Sequence, residues 1–598
     1  MPLKIPKTMV HQLHEVAERL KDEPALWTKR GESWVPTSWR QYAQRVRDFA
    51  LGLQALGFAP GQALTVMGFN REEWVVAALA SMASGGVGVG VYTTASAEQV
   101  AYVTAHCEAS IALVENEGHL ATLLSVRGQL PALKHIIVME APAVPREGVL
   151  TFAEVLELGA RANEADYYAR LEALDPLALA QLIYTSGTTG HPKGVMLSHH
   201  NLCWTTVQLS RCHPIALGDT IVSYLPLSHI AEQVCTIYGP LINGLQVYFA
   251  QSFEKLPENL REVRPTLFLG VPRVWEKFKA KAEAGIATQP KSRQRVLAWA
   301  RSVATRFHDD AMSHRQSSIT LQAQYALAQR VVFAPLKARI GLDKAHLLAT
   351  SAAPIAREVL EFFASLDLPI AEIYGQSEVT GPTSVTTAGA MKLGKLGRPM
   401  PGVEVRIAED GEILVRGGNV CMGYFKDEAA TAELIQNGWL HSGDVGVLDE
   451  DGFLQITGRK KEIIVTSGGK KTSPSNLEGL LKGIEPIGNA MVVGDGRNYL
   501  VALLAVDPER VTAFAKKKGF PLETKTLVTS EPFRAYLREA IDREVNPRVA
   551  RFESIKNFEV LPHDFTIEGG ELTSTLKVRR KFVAQKYEAA INRLYEKT

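Results

Sequence analysis

The chain has 598 residues, too many for one compact domain, and its 46% hydrophobic and 22% charged residues are the composition of an ordinary globular protein. A formal net charge of +2 argues against strong electrostatic attraction to nucleic acid, so no nucleic-acid partner is expected. The five cysteines (107, 203, 212, 235 and 421) form no Cys-x-x-Cys pair, which argues against a zinc site or disulfide framework and for a reducing, cytoplasmic location.

The first twenty residues contain no apolar signal core. Tyr42, Val46, Phe49, Ala50 and Leu53 recur at helical spacing. Residues 74–92 carry no charge and approach the length of a membrane span, but Gly, Ala and Ser dominate and Gly85-Gly86 interrupts them. A buried helix running into a buried strand is the expectation there. Short apolar runs at 63–67, 111–114, 136–139, 182–184, 266–269 and 371–374 read as buried strands, and amphipathic patterns fall between them. Strands alternating with helices predict parallel sheets flanked by helices, with ligands beyond the strands' carboxyl ends. From 275 to 341 the chain reads as long, charged helices, a helical insertion over about 276–341. Short β-type runs return at 411–425 and 451–466. A smaller α+β unit is expected from about 461 to 598, after a larger unit over 1–460.

The strongest local pattern is residues 184–194, YTSGTTGHPKG, directly after an apolar run. Its glycines and hydroxyls suit a loop that turns backbone N–H groups and side-chain oxygens toward phosphate, and Lys193 adds positive charge. It is not the Gly-x4-Gly-Lys-Ser/Thr loop. Glu378, in YGQSE, is a carboxylate beside a glycine turn, suited to Mg2+ next to phosphates. Asp444, in HSGD, can accept two hydrogen bonds from a ribose.

These segments resemble the adenylate-forming enzymes: acyl-CoA synthetases, firefly-type luciferases and peptide-synthetase adenylation domains. The resemblance runs in order through YTSGTTGHPKG, YLPLSHIAEQ (224–233), TSAAP (350–354), YGQSE (374–378), GEILVRGGNVCMGY (411–424), GWLHSGD (438–444), GRKKEIIVTSGGKK (458–471) and LTSTLKVRRK (572–581). It implies an α/β fold: a large N-terminal domain of doubly wound sheets with a small β-barrel-like part, and a smaller mobile α+β C-terminal domain.

For the site, the resemblance implies that Thr185, Ser186, Gly187, Thr188, Thr189, Gly190, Lys193 and Ser351 hold ATP. It stacks Tyr374 on adenine, counts Gly375 and Gln376 among the ATP-binding residues, faces the Ser377 hydroxyl to the α-phosphate, and gives the ribose to Asp444 with Arg459 nearby. Glu378 is implied as the Mg2+ ligand, His229 as a neighbour of the acyl and phosphate groups, and Lys577 as the lysine that contacts carboxylate and α-phosphate. The usual Gly before that lysine is Leu576 here, and Ser574 stands near the usual Pro. Lys461 matches the hinge, and Gly468 and Gly469 match the segment that borders the CoA tunnel.

GVPRVWEKF (270–278) and the helical insertion resemble the long-chain and very-long-chain, bubblegum-type synthetases, in which Trp275 would gate the fatty-acid tunnel. Trp275 also reads as a core residue. The implied partners are ATP, CoA and a medium-to-long-chain fatty acid, with peripheral membrane contact and a homodimer left open. A ligase that delivers acyl-AMP to another acceptor, such as a carrier protein, shares the same ATP motifs. A fatty-acid uptake protein is a further alternative, against which intact Glu378, Asp444 and Lys577 argue; a luciferase-like oxygenase has no separate motif here.

Overall fold

A computed structural model describes residues 3–185, 191–387, 389–573 and 577–596. Trp39–Ala55 is a helix begun by a capping box at Ser38, in which Gln41 returns the hydrogen bond, and it buries Tyr42, Val46, Phe49, Ala50 and Leu53. The uncharged stretch is a buried helix, Glu72–Ala83, followed by a buried strand, Val87–Val91. Gly85 turns the chain between them at φ +73°, a conformation side chains oppose. No described helix is long and apolar enough to cross a membrane.

Two large sheets carry the N-terminal part. One has eight strands in the order Gly423–Tyr424, Lys193–Ser198, Leu179–Thr185, Val87–Val91, Ala63–Met67, Ile111–Val114, His135–Val138, Val149–Thr151. The other has nine, with Ile370–Gln376, Leu347–Thr350, Leu267–Gly270, Thr220–Ser223 and Gln246–Phe249 running parallel through its centre. Pro24–Arg30 and Ser33–Ser38 close one edge of it and Gly381–Val385 with Arg398–Pro399 the other. Apolar side chains on both faces of the central strands explain why these segments read as unbroken hydrophobic runs. Helices cover both sheets, so the doubly wound α/β expectation holds.

The expected barrel-like part is a five-stranded antiparallel sheet built on Trp439–Leu448, which pairs with Glu412–Arg416 on one side and Leu454–Arg459 on another. Helices Pro272–Ala287, Lys291–Met312 and Ile319–Ala328 form the helical segment. Beyond the turn Lys460–Glu462 lies an α+β unit, in which Ile487–Val493, Leu500–Val506 and Ile555–Leu561 make a sheet around its own apolar core.

Candidate active site

The carboxyl ends of the nine-stranded sheet's strands face the C-terminal unit across a cavity of about 2260 Å³. The walls include Thr185, Lys193, His229, Ser351, residues 374–378, Asp444, Arg459, Lys461 and Lys577. Residues separated by nearly 400 positions thus meet at one space, as the crevice rule for parallel sheets requires. Ser186, Gly187, Thr188, Thr189 and Gly190 lie outside the described residues.

Tyr374 leaves its strand with the ring buried and its hydroxyl donating to Asp444 Oδ2 at 2.9 Å. Asp444 stands directly opposite Arg459 on the neighbouring antiparallel strand, and Arg459 Nε lies 3.1 Å from its Oδ1. Burial raises the Asp444 carboxyl above the usual range, opposed by the Arg459 guanidinium and by the Tyr374 bond. Gln376 Nε2 donates to the Tyr374 hydroxyl at 3.2 Å and to Ser442 O at 3.3 Å, locking the ring's polar end. At Gly375 the strand kinks against Gly381, whose carbonyl oxygen would lie 1.8 Å from an added Cβ; only glycine fits.

Glu378 follows in a tight turn over Ser377–Val379 and accepts a 2.9 Å hydrogen bond from the Tyr424 hydroxyl. Lys193 lies 4.8 Å from the centre of the Tyr424 ring and 3.3 Å from Asp427. His229 caps the short helix Ile230–Gln233; the Ala231 N–H donates to its Nδ1 at 3.2 Å, which leaves the proton on Nε2. Burial, assisted by the Lys577 charge, lowers His229 to about 4, so the ring is neutral at physiological pH. The helix is anchored from behind by buried Glu232, which accepts from Asn70, Ser223, Thr236 and the Tyr224 N–H and is raised to about 8 by burial.

Lys577 reaches the same space from the C-terminal unit. Burial and the neighbouring Arg459 lower it to about 8, while Asp444, Glu378 and Glu462 act in the opposite direction. Three sets of ion pairs hold that unit against the sheet domain. Arg273 lies 3.4 Å from Asp507 and 3.3 Å from Asp564, Glu276 lies 3.5 Å from Lys482, and Glu358 lies 2.7 Å from Arg548.

Two expected groups stand elsewhere. Gly468 and Gly469 sit in the loop of the Ile464–Val465/Lys471–Thr472 hairpin, outside the cavity walls, and an added Cβ on either would meet nothing within 4 Å. Trp275 is fully buried and does not line the cavity. Its indole N–H donates to Gly270 O at 3.0 Å and to Ala349 O at 3.3 Å, among Phe268, Phe278 and Phe363.

Sequence reading missed two groups. Glu372 is buried in the cavity wall and raised by burial to about 7, with the Gly394 N–H donating to it at 2.8 Å. Strand alternation puts it on Tyr374's face two residues earlier, so the period-2 pattern could have found it. Tyr424 ends the quoted GEILVRGGNVCMGY run, but its bond to Glu378 depends on strand Gly423–Tyr424 pairing with Lys193–Ser198, which no local pattern announces.

Among the described residues, no group of three or more His, Cys, Asp or Glu side chains is placed to hold a metal ion. A lone carboxylate such as Glu378 suits Mg2+ that arrives with nucleotide phosphates, since that ion keeps water and phosphate for most of its shell.

The family model for the AMP-binding enzyme matches residues 13–425, and that for the AMP-binding enzyme C-terminal domain matches 461–598. The chain is 36% identical to long-chain-fatty-acid–CoA ligase ACSBG2 of Xenopus laevis, covering 99% of this chain and 84% of that protein. It is likewise 36% identical to long-chain-fatty-acid–CoA ligase FadD15 of Mycobacterium bovis, over 94% and 93%. The adenylation domain of a carboxylate reductase from Mycobacterium chelonae shares the fold with a TM-score of 0.76 at 20% identity, over 98% of this chain and 91% of that one. The anthranilate CoA ligase AuaEII, solved with anthranoyl-AMP, does so with a TM-score of 0.73 at 18% identity, over 99% of both chains. By its family models and by its near full-length likeness to these ligases, the chain belongs to the AMP-binding enzyme family.

Proposed function

We propose that the protein is an ATP-dependent, AMP-forming ligase that converts a medium-to-long-chain fatty acid first to acyl-AMP and then to acyl-CoA. The observation that carries this reading is the convergence of Lys577, Asp444 with Arg459, Tyr374 and Glu378 on one cavity whose walls also carry apolar side chains. Ile221, Ile230, Val234, Leu267 and Leu347 are among them. From Thr350 back to Leu347 the sheet offers about 10 Å of wall, at roughly 3.3 Å per residue, and an acyl chain lies along it with its carboxylate at His229 and Lys577.

In the first step a carboxylate oxygen attacks the α-phosphorus of ATP and pyrophosphate leaves. In the second the CoA thiol attacks the acyl carbonyl, giving the thioester and AMP. No enzyme side chain forms a covalent bond in either step. Tyr374 carries the adenine and Asp444 the ribose, with Thr185, Lys193, Ser351, Gly375, Gln376 and Ser377 around the phosphates. Glu378 would hold Mg2+ together with phosphate oxygens, and that ion, when bound, neutralises phosphate charge. The Lys577 ammonium fixes carboxylate against α-phosphate and stabilises charge developing there. His229 supplies a neutral Nε2–H donor at the carboxylate end of the acyl chain.

The same reading divides the chain at the turn Lys460–Glu462, where exposed Lys461 is the hinge between 1–460 and 461–598. With Lys577 in the cavity and Gly468-Gly469 away from it, the arrangement suits adenylation; rotation about the hinge exchanges the two for the thioester step. The deciding experiment is pyrophosphate release over a series of fatty acids, with and without CoA. Acyl-CoA and AMP should form from medium and long acids. Release of free acyl-AMP with CoA ignored would instead assign the carrier-protein type of ligase.

A further inference from the structure

Lys291–Met312 and Ile319–Ala328 form an antiparallel helical hairpin, closed by six connecting residues and by Phe307 stacking on Tyr325 at 3.8 Å. Buried Asp367 ties it to the sheet domain, accepting from His308 at 2.9 Å, from Tyr325 at 2.5 Å, and from Gln329 and Lys337. The second helix continues through Gln329–Phe333 into Ala334–Ile340, and its inner face buries Leu321, Ala328 and Phe333.

Its outer face does not turn polar, as a surface helix ordinarily does. Ile319, Ala323, Leu327, Val331 and Ala334 are all exposed, at spacings that keep them on one side of the helix. Ile319 is 85% exposed, Leu327 55% and Val331 55%. Between 319 and 336 the one charged residue is Arg330. This apolar stripe lies in a strongly basic setting. Residues 276–341 hold twelve Lys and Arg against four Asp and Glu, a net of +8, whereas the whole chain carries +2. Lys291, Arg293, Arg295, Arg330 and Arg339 are exposed. Arg306 donates to Gln324 at 3.3 Å across the hairpin, so in an antiparallel pair the Arg293–Arg295 end of one helix and the Val331 end of the other lie together.

We propose that this hairpin docks the protein on an anionic lipid surface, its apolar stripe entering the headgroup boundary and its basic side chains meeting lipid phosphates. A second copy of the chain is a poorer occupant, because pairing the faces would bring two +8 segments together. The proposal is separable from the catalytic reading, since lipid binding is measured with no substrate present.

The test is flotation of the full chain with vesicles of phosphatidylcholine alone and of phosphatidylcholine with phosphatidylglycerol, without ATP, CoA or fatty acid. Binding should require phosphatidylglycerol and weaken as salt rises. Leu327→Glu/Val331→Glu and Arg293→Glu/Arg295→Glu should each lower the partition coefficient tenfold or more. Both pairs are exposed, so melting temperature and turnover of soluble fatty acid should not move. Equal binding to both vesicle types, no binding to either, or variants that bind as the parent does would overturn the proposal. So would size-exclusion data in which Leu327→Glu/Val331→Glu dissolves an oligomer and leaves vesicle binding intact.

Discussion

Replacing Lys577 by methionine removes an ammonium that the C-terminal unit brings into the cavity, where Asp444, Glu378 and Arg459 act on it. At about 4 Å from a phosphate oxygen and an effective dielectric near 20, a unit charge contributes roughly 4 kcal/mol. Loss of one preorganised donor at a reacting centre costs about 2.7–4 kcal/mol, or roughly a hundred- to a thousandfold in rate. Fatty-acid-dependent pyrophosphate release should fall by that factor, while thioester formation from supplied acyl-AMP should change only a few fold. Stability moves the other way. The folded-state value of Lys577, about 8, lies below the unfolded value of a lysine, so between the two the unfolded chain binds more protons and stability rises with pH. The buried ammonium is thus a cost below pH 8, and Lys577→Met should not lower the melting temperature at pH 7. In the parent enzyme kcat/KM for adenylation should fall as pH rises through about 8, whereas bound phosphates should move the same limb upward in kcat. Half-reactions measured separately decide the matter: equal losses in both, or a loss explained by unfolding, would refute the assigned role.

Asp444→Ala removes the acceptor of both Tyr374 and Arg459, so the KM for ATP should rise at least tenfold with fatty-acid binding little changed; isothermal titration with each ligand checks this. Glu378→Gln should lower the rate and raise the Mg2+ concentration that half-saturates it, read from a magnesium titration at fixed ATP. Trp275→Ala should destabilise the protein by about 3–5 kcal/mol, because a fully buried indole is lost. A gate would in addition alter the chain-length profile of the folded fraction, and an unchanged profile would leave Trp275 as core. Lys461→Pro fixes φ at the proposed hinge and should slow thioester formation while pyrophosphate release persists, seen by single-turnover assays of the two steps.

What was legible in the sequence was what is local. Residues 63–67 and 111–114 are strands over the same residues in the structure because both faces of each are buried, which leaves unbroken apolar runs. Edges blurred where a strand ends in polar residues, so the run read as 182–184 extends over Leu179–Thr185. The motifs located Tyr374, Asp444, Arg459 and Lys577 but not what they touch. The Asp444–Arg459 pair follows from strand register, and the nearness of Lys577 follows from how a separate unit docks. Arg273 was hidden for the same reason, since its partners Asp507 and Asp564 lie more than two hundred residues away. Trp275 showed the limit of motif reading, because a matching tryptophan does not reveal whether it faces a channel or a core.

The nine-stranded sheet has a consequence for the order in which this chain can be assembled. Its strand Pro24–Arg30, one in from the edge strand Ser33–Ser38, pairs in parallel with Gln246–Phe249, and Trp27 both stacks on Tyr248 at 5.1 Å and donates to Gln246 Oε1 at 2.9 Å. Closing a loop of over two hundred residues is slow relative to local pairing, so the hairpin of Pro24–Arg30 and Ser33–Ser38 must wait for synthesis far downstream. Until that hairpin docks, Gln246–Phe249 presents an edge open on that side, the kind of surface that recruits other nascent chains. Deleting the first 38 residues should therefore reduce soluble yield more than it disturbs the cavity chemistry, because it leaves Gln246–Phe249 without the strand that covers it.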